Sequence, residues 1–234
     1  MARIARVVVP GLPHHVTQRG NRGEPVFFGD DDYALYRDLL AERCRKANVA
    51  CWAYCLMPNH VHLILVPAHP DGLARALGET HRRYTGFINA RARQTGHLFQ
   101  SRFGSVVMDE DHLLDAARYV SLNPVRAKLV RRARDWRWSS LHAHLARRDD
   151  TFVTVRPLLD RVGDFSDLVD TATGEIEPQA FATLRAAETI GRPLGDEGFL
   201  ARIEAQLGRS IRPGKRGRKA SLAVGGEGKS KVSP

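Results

Sequence analysis

Cysteine is scarce in this chain, with three in 234 residues. An odd count with no dense framework excludes a disulfide-stapled scaffold and fits a reducing compartment, the cytoplasm. Long apolar runs are missing as well. No segment approaches the roughly 18 apolar residues of a membrane-spanning helix, and the run Val7-Val8-Val9 behind Arg3 and Arg6 is too short for a secretory signal. There is also no phosphate-cradling glycine loop. The nearest match, residues 223–230, has alanine where the first glycine should stand and lies in a terminal tail, so no ATP site is expected.

What the chain has in excess is positive charge, +10 in total, and it is unevenly spread. Residues 1–148 hold 23 Lys and Arg against 13 Asp and Glu, residues 149–208 hold 5 against 12, and residues 209–234 hold 8 against 1. Boundaries near 148 and 208 follow. At this length one main core plus a smaller appendage is expected.

Hydrophobic periodicity gives the coarse order. Residues 13–19 read as a strand, 30–48 as a helix entered through acidic residues, and 50–56 as a second strand. Met57-Pro58-Asn59 is a short turn into a third strand, making a hairpin. A long helix over 72–93, a β-branched run over 103–108 and a helix from about Asp111 complete a β-α-β-β-α-β-α order. That order predicts an α+β fold, an antiparallel sheet with helices packed on one face. Trp136 and Trp138 read as a lid over the core. Residues 177–190 and 196–207 carry helical periodicity around Gly191-Arg192-Pro193-Leu194-Gly195, so 149–208 is a small helical unit. Its negative charge favours packing or protein interaction over a helix-turn-helix DNA reader. The tail 209–234, rich in Gly, Lys, Arg and Ser, is a basic segment expected to be disordered. Within it, Lys215-Arg216-Gly217-Arg218-Lys219 reads as simple phosphate attraction.

Two stretches carry chemistry. In His60-Val61-His62 the histidines stand at i and i+2 of an apolar strand, so both imidazoles leave one face, roughly 6 to 7 Å apart at Cα. Such a pair is either half of a metal site or a hydrogen-bonded part of the core. In Ala117-Arg118-Tyr119-Val120-Ser121-Leu122-Asn123-Pro124, behind the acidic start Asp109-Glu110-Asp111, Leu113, Ala116, Ala117 and Val120 form the apolar stripe. Tyr119 and Asn123 lie off it, stacked at i and i+4, and Pro124 predicts that the helix stops at Asn123. A helix end can present both groups to a site; the plainer reading is a half-buried tyrosine beside a helix-stopping asparagine. Tyr84 is a rival nucleophile, but Leu73, Leu77, Thr80, Tyr84, Phe87 and Ile88 recur at helical spacing and assign it to packing. Cys51 and Cys55, sharing one strand face, could join His60 and His62 in a structural zinc site, or be ordinary buried thiols.

Taken together these motifs resemble a known family. His60-Val61-His62 is similar to the His-hydrophobe-His motif of HUH single-strand nucleases, and residues 119–125 to the tyrosine motif of single-tyrosine transposases. With His14-His15-Val16-Thr17-Gln18-Arg19-Gly20-Asn21-Arg22-Gly23 and Gly96-His97-Leu98-Phe99-Gln100-Ser101-Arg102-Phe103 in the same order, residues 1–145 resemble the REP-associated tyrosine transposases. The resemblance implies a ferredoxin-like palm, Tyr119 as nucleophile, His60 and His62 as metal ligands and Asn123 as the third. Two imidazoles, an amide oxygen and waters suit Mg²⁺ or Mn²⁺. It further implies cleavage and strand transfer on single-stranded, hairpin-forming DNA through a 5′-phosphotyrosine; the sequence leaves monomer and homodimer both open. The basic excess supplies candidate phosphate contacts at Arg19, Arg22, Arg82, Arg83, Arg91, Arg102 and Lys128. Two alternatives stay open: a non-catalytic DNA-binding regulator on the same fold, and a zinc-stabilised RNA-binding module.

Overall fold

The computed structural model describes residues 6–170 and 179–212. Most of the basic tail, including 215–219 and 223–230, lies outside them. Four strands form one antiparallel sheet in the order β2-β3-β1-β4: β1 (His14–Arg19), β2 (Val49–Met57), β3 (His60–Pro67) and β4 (Gly104–Val107). Helices α1 (Asp30–Lys46), α2 (Gly72–Ala92) and α3 (Glu110–Arg126) alternate with them in the expected order.

Local sequence explains the elements. Asp30, Asp31 and Asp32 occupy the first turn of α1, and Arg43, Arg45 and Lys46 its last, each sign where the helix dipole favours it. Asp109 caps α3 by accepting from the His112 N–H. The Pro58-Asn59 turn joins β2 to β3, and its carbonyls accept from Val26 and Gly20, fastening the hairpin to the loop after β1.

Strand alternation sorts the sheet into two faces. Val61, Leu63 and Leu65 point one way and are fully buried; His62 and Ile64 point the other and are buried too. Tyr119 of α3 lies against His62 and His15, so α3 covers the histidine face. Helices α1 and α2, which pack on each other and on β2 and β3, cover the opposite face. The ferredoxin-like sheet with α1 and α2 on one face is as expected, and a second helical layer closes the other. Both sheet edges are covered as well. Leu56 donates to the Trp138 carbonyl and Ser140 to the Tyr54 carbonyl along β2, while on the far side Leu194 donates to the Val107 carbonyl at the end of β4 and accepts from the Asp109 N–H.

Three local expectations need correction. Helix α3 does not stop at Asn123 but continues to Arg126 with Pro124 inside it. The missing Pro124 N–H costs only one bond near the helix end, and the last turn closes through Ala127 N–H to the Asn123 carbonyl and Leu129 N–H to the Pro124 carbonyl. Second, a bulge between Cys51 and Ala53 sets Cys51 opposite Leu65 but Cys55 opposite His62, so the two thiols leave opposite faces. Third, the charge boundary near 148 is not a break in packing. Beyond α4 (Leu141–Leu145), α5 (Arg156–Val162) and α6 (Phe165–Asp170), α7 (Gln179–Ile190) lies on α3, β4 and β1. Its Phe181 and Leu184 belong to the same buried cluster as the sheet. Helix α8 (Glu197–Leu207) packs Phe199 and Ile203 against Val7, Val9 and Val107.

One ion pair ties the first helical layer together. Arg91, near the end of α2, donates to both oxygens of buried Asp32 at 2.6 and 2.8 Å, and Asp32 also accepts from the Phe28 N–H at 2.9 Å. Burial alone would raise the Asp32 pKa, but the Arg91 hydrogen bonds, the Phe28 N–H and the Arg91 charge together outweigh it and hold the carboxyl below its ordinary value. Because Arg91 is itself 46% exposed, Arg91→Ala is expected to lower the urea midpoint, but by less than the loss of a fully buried pair would. An unchanged midpoint would show that water replaces the guanidinium without penalty.

Candidate active site

The register of β1 on β3 builds the centre. His62 lies opposite Thr17 and Ile64 opposite His15, so His15, His60 and His62 leave the same face. His15 Nε2 and His62 Nδ1 are 3.1 Å apart, with the ring planes inclined by 14°. The His60 ring stands nearly perpendicular to that of His62, 4.9 Å away centre to centre. Asn59 Nδ2 donates to the Gly23 carbonyl at 2.9 Å, which turns Asn59 Oδ1 toward His60 Nδ1 at 2.6 Å. His60 Nδ1 is therefore the donor, and its Nε2 keeps a lone pair.

Helix α3 brings the phenol to this centre. The Tyr119 ring lies 5.3 Å from His62 and 5.9 Å from His15, edge-on to both. It is only 4% exposed, more buried than its place off the α3 stripe suggests, because Phe181 of α7 packs 5.2 Å from it. The Arg126 guanidinium sits 4.8 Å above the same ring. Burial pushes the Tyr119 pKa up, with help from the charge of Glu188; a hydrogen bond from Arg126 opposes the rise.

Tyr119, His60 and His62 line one cavity of about 340 Å³. Thr17, Gln18 and Arg19 of β1 form one wall, Gln100, Ser101, Arg102 and Gly104 another, and Arg185 and Glu188 of α7 a third. Glu188 Oε1 lies 3.6 Å from His15 Nδ1 and 3.9 Å from His62 Nδ1. Burial raises its pKa to about 7, against the pull of Arg185, Arg19 and Arg126. Burial likewise lowers His15 and His60 to about 4 and His62 further. Neutral rings are what metal ligation requires.

The donor set fits a divalent ion. Two neutral imidazoles face the cavity, and the ligand atoms of His15, His62 and Glu188 lie within 4.8 Å of one another, the single His/Cys/Asp/Glu group of this kind among the described residues. Glu188 Oε1 and His15 Nδ1 are buried without a hydrogen-bond partner. Asn123, the expected third ligand, is buried with Nδ2 unpaired, and it is not in the cavity wall. The thiol alternative has little support: Cys51 Sγ bonds the Ala53 carbonyl, Cys55 Sγ contacts Met57 sulfur, and burial raises both pKa values, favouring the thiol over the thiolate. Tyr84 is fully buried and donates to the Val26 carbonyl at 2.7 Å within an aromatic cluster of Phe27, Tyr36 and Phe99.

The candidate cations divide into groups. Arg19 and Arg102 are exposed and line the cavity. Arg22 and Lys128 are exposed at left-handed backbone positions, one after β1 and one after α3. Arg82 and Arg83 share Glu79, and Arg91 clamps Asp32. Sequence reasoning missed His15, Gln18, Arg126, Phe181, Arg185 and Glu188 as parts of the site. The strand period of residues 13–19 could have put His15 beside the histidine strand; nothing local marks Glu188.

The chain is similar to known proteins in sequence and in fold. Residues 9–123 match the family model described as "Transposase IS200 like". The chain is 25% identical over 118 residues to a Haemophilus influenzae protein provisionally assigned as a REP-associated tyrosine transposase, covering 46% of this chain and 67% of that one. Among solved structures, a REP-associated tyrosine transposase bound to a REP hairpin aligns with a TM-score of 0.55 and 21% identity, over 66% of this chain and 92% of that one, a likeness of fold. A provisionally assigned Deinococcus radiodurans transposase aligns at a TM-score of 0.37, with 21% identity over 51% of this chain and 95% of that one.

The buried rings make stability depend on pH with a definite sign. His14, His15 and His60 have folded values near 4, below the ordinary 6.5, so the unfolded chain binds protons that the folded chain refuses between those limits. Glu188, raised to about 7 from 4.5, acts in the opposite sense, but it is one carboxyl against several imidazoles. The urea midpoint is expected to be highest above pH 6.5 and to fall as the pH drops toward 4. A midpoint constant across that window would mean that the rings are not held neutral.

Proposed function

We propose, from the match of residues 9–123 to the IS200-like transposase family model, that the protein cleaves and rejoins single-stranded DNA through a 5′-phosphotyrosine on Tyr119. The observation that carries the reading is that Tyr119, His60 and His62 line a single cavity although they come from two distant elements. The hairpin-bound relative supports DNA hairpins as the substrate form.

The chemistry is assigned as follows. Tyr119 Oη loses its proton and attacks the scissile phosphorus; a phosphotyrosine ester forms, the bond to the 3′-oxygen breaks, and that oxygen takes up a proton. Reversal by a 3′-hydroxyl reseals the strand. One phosphodiester replaces another, so no nucleoside triphosphate is consumed. An unperturbed phenol ionises near 10, and burial makes Tyr119 harder to ionise still. The Arg126 hydrogen bond offsets part of that cost by stabilising the phenolate. Mg²⁺ or Mn²⁺ held by His60 and His62, with Asn123 as the expected oxygen donor, would supply Lewis-acid polarisation of the phosphate.

In this reading Arg19 and Arg102, in the cavity wall, hold phosphates beside the reacting one, and Arg22 and Lys128 extend the basic surface. Arg82, Arg83 and Arg91 contribute only if a phosphate displaces their carboxylate partners, most costly for Arg91 with its buried Asp32.

The test is covalent capture. Labelled single-stranded hairpin DNA with Mn²⁺ is expected to give a protein adduct on a denaturing gel. Tyr119→Phe should reduce it at least about 100-fold, since the nucleophile is gone, and Tyr84→Phe should leave it. An adduct that survives Tyr119→Phe, or depends on Tyr84, contradicts the assignment. Hairpin binding by the unsubstituted protein without any adduct would make it a DNA-binding regulator instead.

A further inference from the structure

A histidine offers a metal only the ring nitrogen that lacks a proton, and in a neutral ring the partner of the other nitrogen decides which one that is. For His60 the decision is made by Asn59, whose Oδ1 accepts from Nδ1. His62 has no such amide. Its Nδ1 faces His15 Nε2 at 3.1 Å, and a contact between two imidazoles can run in either direction.

We propose that Glu188 and His15 form a hydrogen-bonded relay that keeps the His62 proton on Nδ1 and leaves the Nε2 lone pair for the cavity. The logic runs inward from the carboxylate. An ionised Glu188 can only accept, and the nearer of the two ring nitrogens that Oε1 faces is His15 Nδ1, at 3.6 Å against 3.9 Å for His62 Nδ1. A few tenths of an ångström of side-chain rotation turn that approach into a hydrogen bond, and each atom is otherwise buried without a partner. His15, neutral, then carries its one proton on Nδ1, so its Nε2 accepts, and His62 Nδ1 must be the donor. With Asn59 behind His60 and the relay behind His62, both histidines present the same nitrogen to the same space. In this scheme His15 and Glu188 are positioning residues that act through His62.

The relay draws on three elements, β1, β3 and α7, and its terminal acceptor lies outside the matched domain, which ends at residue 123. It gives the acidic C-terminal segment a chemical part in the site. The inference rests on the proposed function only in supposing that His62 is a ligand; the tautomer is a property of the metal-free chain.

Long-range ¹H–¹⁵N correlation of labelled histidines in the metal-free protein, at mildly alkaline pH, reads the tautomer directly. His62 is expected to carry its proton on Nδ1. In Glu188→Leu and His15→Phe it should move toward Nε2, and Mn²⁺ affinity should fall about 10- to 100-fold, the usual effect of losing such a partner. Glu188→Gln, which keeps an accepting carbonyl, should retain the Nδ1 proton, while thermal unfolding confirms that each variant is folded. A His62 proton on Nε2 in the unsubstituted protein overturns the relay, as does a tautomer indifferent to both disruptive variants. Loss of the His15 Nδ1 proton when Mn²⁺ is added also overturns it, since His15 would then be a ligand. If the tautomer is as described but hairpin DNA is never cleaved, the relay stands and the proposed function falls.

Discussion

The register of β1 against β3 is the constraint on which the site depends. It sets Thr17 opposite His62 and Ile64 opposite His15, and alternation then sends three imidazoles out of one face of a sheet whose other face is a Val and Leu core. A slip of one residue would exchange the faces, taking the imidazoles away from the cavity and setting apolar side chains in their place. The register is held where it matters: Gly20 N–H bonds the Asn59 carbonyl, and Val26 N–H the Pro58 carbonyl. The loop that closes the hairpin and the loop that leaves β1 are thus one hydrogen-bonded unit, and it also carries Asn59, the partner of His60.

The second requirement is cover. Imidazoles open to water would titrate near their ordinary value and spend part of their time protonated, when they cannot bind a cation. Burial under α3 and α7 holds them neutral. The cover comes from two sources of opposite character: α3 from the basic part of the chain, carrying Tyr119, and α7 from the acidic part, carrying Phe181, Arg185 and Glu188. Spaced at helical intervals, these three α7 residues reach the tyrosine ring and the cavity from one side. The same burial raises the Tyr119 pKa, so the enclosure that makes good ligands makes a reluctant nucleophile, which Arg126 partly corrects.

Much of this was legible in the sequence, for reasons that differ between elements. The hairpin, the histidine strand and the packing role of Tyr84 follow from periods of two and 3.6 residues, which report local geometry directly. Other features depend on tertiary contacts that local patterns do not encode. Pro124 is a helix breaker by propensity, yet α3 continues past it because a proline near a helix end forfeits a single bond. The bulge between Cys51 and Ala53 is invisible in a run of strand-forming residues, and it separates two thiols that strict alternation would pair. Charge reversal near 148 suggested a unit apart, but charge reports the solvent face; Phe181, Leu184 and Phe165 on the inner face bind the segment into the common core. Glu188, the most consequential omission, is an ordinary helical glutamate until α7 is laid on β1.

The central claim is that the face carrying His60 and His62 holds a metal within reach of the Tyr119 oxygen. Anomalous diffraction from crystals soaked in Mn²⁺ tests it most directly. The account predicts one manganese peak roughly 2.0 to 2.4 Å from Nε2 of both His60 and His62, inside the cavity that Tyr119 lines. A peak seated instead between His15 and Glu188 on the Nδ1 side of His62, or a cavity that takes up no manganese at all, would contradict it.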